Sequence, residues 1–211
     1  MSLEVIKQNE NKISIRLKGI PIQYANALRR ICLNGVPIFA IETVEILENT
    51  SIIPDEAIAH RLGLIPLKTD SSDIIISESS ESDSRVILTL DSDETKTEEN
   101  NSESRTVFSN ELKGEDAGVK PISDKIPIVM LAPGQKVKFQ AYARLGRGTE
   151  HAKWNSANTS VLTETKNKNE HILTVESTGS LDAKNIVLIG MDELSNRLVK
   201  FKDMLSELKT K

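Results

Sequence analysis

The stretch NALRRICLNGVPIFAIETVEI, from Asn26 to Ile46, changes from a helical to an extended pattern near its middle. Apolar residues in and just before its first half recur at spacings of three and four, which places them in one stripe along a helix: Ala25, Leu28, Ile31 and Cys32. Pro21 suits the first turn of this helix, and Asn34-Gly35 predicts a left-handed stop. The alternating segment IFAIETVEIL predicts a strand directly after it.

The segments around that stretch predict strands on both sides of a β-rich middle. LEVI and ISIRL alternate as strands near the amino terminus, and PDEAIAHRLG, residues 54–63, predicts a short helix. IPIVML and VKFQAYARL, joined by the turn APGQ at residues 132–135, predict a β-hairpin. HILTVES, residues 171–177, predicts a further strand before a long terminal helix. This order favours an α+β fold over alternating βαβ units.

The composition excludes several classes of protein. Among 211 residues there are 27 Lys and Arg against 31 Asp and Glu, for a net charge of -4, whereas a free-standing nucleic-acid-binding domain normally carries a basic excess. Aromatic residues make up 3%, which is too few for a base-stacking platform. A single cysteine, Cys32, excludes an internal disulfide and a thiolate-built cluster. His60, His151 and His171 show no metal-ligand spacing, so no metal and no other cofactor is expected.

The chain shows no membrane or export signal. Its amino terminus lacks the apolar core of a signal peptide, and no run of about 18 apolar residues occurs. Together with the single cysteine, this predicts a cytoplasmic protein.

Negative charge is concentrated between residues 70 and 103. This segment holds eleven acidic residues and two basic ones, so it carries -9 while the remainder carries +5. Serine is frequent there, and the short apolar run RVILTL interrupts it, which predicts a β-hairpin with solvated tips. The charge is either a solubilising surface or an acidic docking face.

The carboxyl-terminal helix carries the strongest signal in the sequence. Its apolar residues follow one another at alternating spacings of four and three, forming a heptad seam: Val187, Met191, Leu194, Leu198, Phe201, Leu205 and Leu208. The segment from Asp182 to Leu208 is about 40 Å long as a helix, whereas a domain of about 100 residues has a radius of gyration of about 13 Å. The first half is expected to pack on this chain, and the far half is expected to reach a partner.

Two basic clusters lie outside the acidic segment. Arg29 and Arg30 follow Leu28 at the border of the helical stripe. Arg144 precedes a glycine-punctuated loop that contains Arg147 and Lys153. Each cluster is either a solvated flank or a surface whose guanidinium groups bind carboxylates of another protein. The residues alone leave both interpretations open.

Four of these stretches together resemble the archaeal family of D-type, alpha-like RNA polymerase subunits, which is related to the eukaryotic third-largest subunit and to the bacterial alpha amino-terminal domain. They are Asn26–Ile46, Ile52–Leu67 (IIPDEAIAHRLGLIPL), Arg144–Ala157 (RLGRGTEHAKWNSA) and Val175–Leu181 (VESTGSL) with the heptad helix. With the strands between them they cover most of the chain. The acidic middle is poorly matched.

The resemblance implies a discontinuous alpha-like dimerisation domain interrupted by a β-rich insert domain. We expect the dimerisation domain at residues 1–38 and 167–211 and the insert domain at residues 39–166. The family pairs with a smaller subunit, L, and subunits N and P and the second-largest polymerase subunit then dock on the heterodimer. The chain would therefore be part of a DNA-directed RNA polymerase, a nucleotidyltransferase, and meet DNA only through the whole complex. It would carry no catalytic residues itself.

The resemblance also assigns roles to particular positions. It implies a large-subunit contact at Arg29 and Arg30. Its assembly-surface loop corresponds to Arg144, Arg147, Glu150, His151, Lys153 and Trp154. The expected dimerisation interface comprises Leu28, Ile31, Leu194, Leu198, Phe201, Leu205 and Leu208.

One departure from the family concerns a cysteine-bearing insert. Many members carry a ferredoxin-like segment between the loop and the dimerisation end, whereas here only about twenty residues, Asn155–Thr174, intervene without cysteine. The chain resembles a member that lacks the iron-sulfur insert. The alternative functions are an acidic adaptor that binds one partner through its heptad helix and, more remotely, a metal-dependent hydrolase.

Overall fold

The structure is a computed structural model that describes residues 1–70, 74, 85–93, 104–114, 118–167 and 170–208. The strands within these residues are β1 (Ser2–Gln8), β2 (Lys12–Lys18), β3 (Ile38–Asn49), β4 (Val86–Asp91), β5 (Arg105–Phe108), β6 (Lys113–Gly114), β7 (Pro127–Leu131), β8 (Val137–Gly146), β9 (Ala157–Glu164) and β10 (Glu170–Ser177). The helices are α1 (Ile22–Asn34), α2 (Asp55–Gly63) and α3 (Ala183–Leu208). The fold is α+β, as predicted.

The chain divides into two compact units. The terminal unit combines Met1–Pro37 with Arg147–Lys211, and the central unit is Ile38–Gly146. A β-rich segment therefore interrupts a unit built from both ends of the chain, as expected.

The second boundary between the compact units lies earlier in the chain than the predicted domain boundary. We expected the insert to end at residue 166, but residues from Arg147 onward belong to the terminal unit. The reason is strand pairing: β9 pairs along its length with β10, for example Leu162 with Leu173. This pairing places β9 and β10 together in the terminal unit.

The terminal unit is a four-stranded antiparallel sheet packed on helices. Its strand order is β1-β2-β10-β9. Side chains alternate along β2, so that Ile13, Ile15 and Leu17 are buried. On α1 the predicted stripe is confirmed, because its buried residues are Ala25, Leu28, Ile31 and Cys32. A Cβ at Gly190 of α3 would lie 3.3 Å from Cys32 Sγ, so α1 and α3 approach closely at this glycine.

The end of α1 differs from the sequence prediction. Gly35 has φ -99°, in the right-handed region, and its N–H donates to the Ile31 carbonyl at 2.8 Å. The predicted left-handed stop is therefore wrong. Space is tight at this position, since a Cβ would lie 3.0 Å from Ile31 Cγ2 and 3.1 Å from the Ile31 carbonyl oxygen, and Ile31 would have to shift slightly to admit it.

The central unit holds a second sheet, a two-stranded ribbon and helix α2. Strand order in the sheet is β3-β8-β4-β6, and the ribbon pairs β5 with β7. Helix α2 has Asp55 and Glu56 in its first turn and His60 and Arg61 in its last, as predicted, which complements the helix dipole. Its buried residues Ile58 and Leu62 join one apolar core with the sheet and the ribbon.

The prediction that IPIVML and VKFQAYARL pair as a hairpin is wrong. The turn between them exists, with Gly134 at φ +78° and the Gln135 N–H donating to the Ala132 carbonyl at 3.0 Å. However, β7 pairs with β5, while β8 lies between β3 and β4. The long strand β3 pairs with β8 from Ile38–Gly146 to Asn49–Val137, which places β8 in the other sheet.

The acidic segment is described only in part. RVILTL forms β4, as predicted, and its described partners are β8 and β6. The remaining prediction of a hairpin with solvated tips falls mostly on residues 71–73, 75–84 and 94–103, which lie outside the described residues.

Candidate partner-binding surface

Helix α3 changes from buried to exposed along its length. Ile186 and Val187 are 0% and 3% exposed, and Met191 and Leu194 are half-buried. Further along the heptad seam, Leu198, Phe201 and Leu205 are 51%, 60% and 45% exposed. We call these three residues the exposed seam; the side chain of Leu208 lies outside the described residues. The helix thus presents an uncovered apolar stripe within the part of the chain that the structure describes.

An apolar groove continues the exposed seam toward the sheet. It has a volume of about 290 Å³ and lies between α1, α3 and the first two strands. Its lining is Leu3, Leu17, Ile20, Tyr24, Ala25, Leu28, Met191, Leu194, Ser195 and Leu198. Leu198 belongs to both features, so the groove and the exposed seam form one surface.

Two residues expected at the dimerisation interface are mostly buried within this chain, and their place in an interface stays a prediction. Leu28 and Ile31 are each 7% exposed, and both lie close to Gly190 of α3. Leu28 still contributes to the groove wall. The physical reason is that the helical stripe is needed to attach α1 to this chain's own α3, which leaves the later residues of α3 as the accessible apolar surface.

The two arginines of α1 have different surroundings. Arg29 is half-buried; its Nε donates to Asn26 Oδ1 at 2.8 Å, and its Nη1 donates to the Ser160 carbonyl of β9 at 3.3 Å. Arg30 is exposed. Arg29 is thus engaged within the terminal unit, and the expected contact of the pair with one partner stays a prediction.

Residues 147–154, which we call the EHAKW loop, are closely packed. Trp154 is 3% exposed and ends a short 3₁₀ turn, and Lys153 Nζ lies 4.3 Å from the centre of its ring. The His151 Nδ1 accepts a hydrogen bond from the Lys153 N–H at 3.1 Å. A Cβ at Gly148 would collide with Asn155 Oδ1 and lie 2.8 Å from Asn34 Cβ, so the loop's path depends on glycine.

Arg147 attaches this loop to both helices. Its Nε donates to the Gly35 carbonyl at 3.1 Å, and its Nη2 contacts Glu193 Oε2 on α3 at 3.2 Å. Glu150 Oε1 accepts the Arg147 N–H at 2.9 Å. Burial of Glu193 opposes its ionisation, but the hydrogen bond from Arg197 and the charge of Arg147 outweigh burial and hold the pKa of Glu193 below its usual range.

Arg144 belongs to the central unit, whereas the rest of its predicted group belongs to the terminal unit. It lies on β8, where its Nη2 pairs with Glu42 Oε1 of β3 at 2.7 Å. Its Nη1 donates to the Leu145 carbonyl at 2.9 Å. This arginine stabilises a pair of neighbouring strands.

Comparison with known proteins identifies the family. The RNA polymerase Rpb3/RpoA insert domain matches residues 44–175. The chain belongs to this family. The match begins within β3, covers the rest of the central unit, and continues through β9 and most of β10 of the terminal unit.

Curated relatives of this Rpb3/RpoA family chain carry one name. It is 42% identical over 154 residues to DNA-directed RNA polymerase subunit Rpo3 of Pyrococcus horikoshii, which covers 73% of this chain and 56% of the relative. The Rpo3 subunits of Methanosphaera stadtmanae and Aeropyrum pernix are 39% and 36% identical, covering 75% and 76% of this chain and 59% and 58% of the relatives. The chain therefore spans little more than half the length of these relatives.

Sequence reasoning missed the residues that support the surface. Glu193 was not singled out, although its spacing of four from Arg197 is a recognisable helical pairing signal. Asn34 and Asn155, which enclose Gly148, give no such signal because the two asparagines are far from each other in the sequence.

The described residues of this family member include no group of three His, Cys, Asp or Glu side chains placed to hold a metal ion. Cys32 is fully buried, and burial raises the pKa of its thiol to about 12. Among the described residues there is also no helix with the length and apolar character needed to cross a bilayer.

Proposed function

We propose that this chain is a non-catalytic assembly subunit of DNA-directed RNA polymerase. It pairs with the smaller subunit L through the exposed seam and the groove, and the heterodimer then docks the second-largest subunit and subunits N and P. Support comes from the family match and from the name shared by its relatives. The observation that carries the pairing step is the exposure of Leu198, Phe201 and Leu205 on one face of α3.

Burial of this surface would provide a substantial driving force. Each of these three side chains is about half exposed, so its full burial contributes about half of the roughly 1.5 to 3 kcal/mol gained by a fully exposed side chain, as an upper estimate. The groove beside them offers a recess for an apolar side chain of the partner, and central apolar pockets are where interfaces gain most of their affinity.

The later docking steps are assigned to polar surfaces. Arg30, which is exposed on α1, contributes a guanidinium to the contact with the second-largest subunit. Glu150, His151 and Lys153 present the outer side of the EHAKW loop to other subunits. Trp154 and Arg147 support the loop from inside, since Trp154 is buried and Arg147 binds both helices.

Coexpression with subunit L tests the proposal. We expect a one-to-one complex in size-exclusion chromatography that captures the second-largest subunit when it is added. The adaptor alternative predicts that the chain stays separate from subunit L and binds a single partner unrelated to polymerase. A chain that remains monomeric beside an excess of folded subunit L would contradict pairing.

A further inference from the structure

Three parts of the terminal unit meet at Arg147. Its side chain donates to the Gly35 carbonyl at the end of α1 at 3.1 Å and contacts Glu193 on α3 at 3.2 Å. Its own N–H is held by Glu150 within the EHAKW loop at 2.9 Å. The position of the loop relative to α3 therefore depends on the contact between Arg147 and Glu193.

Glu193 divides its carboxylate between two arginines. Oε2 faces Arg147, and Oε1 accepts a hydrogen bond from Arg197 Nε at 2.7 Å. The Glu193 side chain is 11% exposed, whereas that of Arg197 is 47% exposed. Two guanidinium groups on one carboxylate repel each other and share its charge, so loss of one strengthens the contact with the other.

Arg197 also occupies the point at which α3 becomes exposed. It directly precedes Leu198, the first residue of the exposed seam. Every residue of α3 from Ser195 to Glu207 is exposed. A carboxylate brought close to Leu198 by a bound protein would compete with Glu193 for Arg197. The buried carboxylate would then remain with Arg147.

We propose that Glu193 is a positioning residue that couples the exposed half of α3 to the EHAKW loop. Withdrawal of Arg197 from Glu193 tightens Arg147 against Glu193 and orders the loop. By linkage, fixing the loop weakens the hold of Glu193 on Arg197 to the same extent. The inference rests on the proposed function only for what draws Arg197 away, because the coupling itself is a property of the chain alone.

Hydrogen exchange of the full chain, without any partner, tests this coupling. The probes are hydrogen-bonded amides in the loop and directly after it, namely Thr149 to the Asn34 carbonyl, Glu150 to Arg147, Trp154 to His151 and Asn155 to Ala152. Arg197→Ala should slow their exchange by about two- to fivefold, a range typical of partly exposed ion pairs. Glu193→Gln should speed their exchange, and adding Arg197→Ala to it should change nothing further.

Asn196→Ala is the matched control. Asn196 is the exposed neighbour of Arg197, and its replacement raises helix propensity by more than Arg197→Ala does, without touching Glu193. Loop exchange should stay as in the unaltered chain. A Glu193 that only stabilises the fold would give faster exchange with Arg197→Ala as well as with Glu193→Gln. Unchanged or faster exchange with Arg197→Ala overturns the proposal. So does slowing by Arg197→Ala that persists in the Glu193→Gln background, and so does the same slowing with Asn196→Ala. None of these outcomes bears on pairing with subunit L.

Discussion

Several arginines of this chain donate to backbone carbonyls of their own unit. Arg29 donates to Ser160 on the outermost strand β9, Arg61 donates to Ile128 on β7 at 2.9 Å, and Arg147 donates to Gly35. A guanidinium carries five N–H donors, so it can satisfy a strand-edge or helix-end carbonyl that the regular hydrogen-bond pattern leaves open. An arginine beside an apolar stripe is therefore not automatically available to a partner.

Replacing each arginine of α1 separately should distinguish their roles. Arg29→Ala should lower the free energy of unfolding by about 1 kcal/mol, because it removes hydrogen bonds to Asn26 and Ser160. Arg30→Ala is the control and should stay within about 0.5 kcal/mol, since Arg30 is exposed. Urea denaturation measures both. Equal losses would mean that the Ser160 contact contributes nothing.

Glu193 should give the chain an acid-sensitive contribution to stability. Because its folded-state pKa is depressed, the stabilisation is present above the ordinary glutamate pKa of about 4.3 and is lost as pH falls through the lower folded-state pKa. Glu193→Gln should lower the free energy of unfolding by about 1 kcal/mol at pH 7. The loss is no larger because Arg197 is partly exposed and solvent screens its charge. The difference from the unaltered chain should shrink toward about pH 3.

Denaturation at both pH values checks this behaviour. Asp192→Asn, an exposed change on the same turn of α3, should stay within about 0.5 kcal/mol at each pH. A Glu193→Gln deficit that persists in acid would contradict an ionised, paired Glu193.

At the scale of elements, α3 has two halves with different roles. The half before Ser195 packs on the sheet and on α1, and the half after it has no buried residue among those described. An isolated helical segment of this length is marginal in water, so the exposed half depends on continuation from the packed half. Apolar residues of one heptad seam are therefore buried in the fold at Val187 and exposed at Leu205.

A paired change on the exposed seam should separate folding from binding. Leu198→Asp with Leu205→Asp should abolish copurification with subunit L, because a bound partner would have to desolvate both carboxylates. The thermal midpoint of the chain alone should change little, since both side chains are about half exposed. Leu188→Asp with Val199→Asp, at similarly exposed positions off the heptad seam, is the control and should pair normally. A collapsed melting curve for the seam variant would mean that these leucines pack on their own chain.

The positions of most helices and strands were predictable from the sequence, whereas the pairing partners of several strands were not. The stripe on α1 and the alternation of β8 are local patterns, so spacing alone identifies them. The pairing of β7 with β5 depends on long-range packing, and the same turn residues are compatible with a hairpin and with a crossing between sheets. At the candidate site, helix length predicted the exposed half of α3. The contact between Arg29 and Ser160 spans 131 residues, and no spacing rule reveals it.

At the scale of the whole molecule, both chain ends build one unit and the middle builds another. The proposed pairing surface lies on the terminal unit, and Arg30 lies on the same unit at α1. Assembly with subunit L and capture of the second-largest subunit should therefore be separable by substitutions that leave the central unit unaltered.

Charge reversal at Arg30 tests this separation. Arg30→Glu should leave the complex with subunit L intact and weaken capture of the second-largest subunit by at least about tenfold, because a like charge placed against carboxylates costs several kcal/mol. Stepwise copurification measures both steps. Lys200→Glu, an exposed reversal on α3, is the charge-matched control. Normal capture by the Arg30→Glu variant would place Arg30 outside that contact.

The pairing of β2 with β10 also constrains how the chain folds during its synthesis. Lys18 is registered against Glu170, so the sheet of the terminal unit cannot close until β10 has left the ribosome. At about 5 to 20 residues per second, the intervening stretch of about 150 residues takes about 8 to 30 s to translate. The central unit emerges complete in that interval and can fold first. During the same interval the hairpin of β1 and β2 has no β10 to pair with, and its apolar face is uncovered. That apolar face therefore stays exposed to water for about as long as the intervening stretch takes to translate.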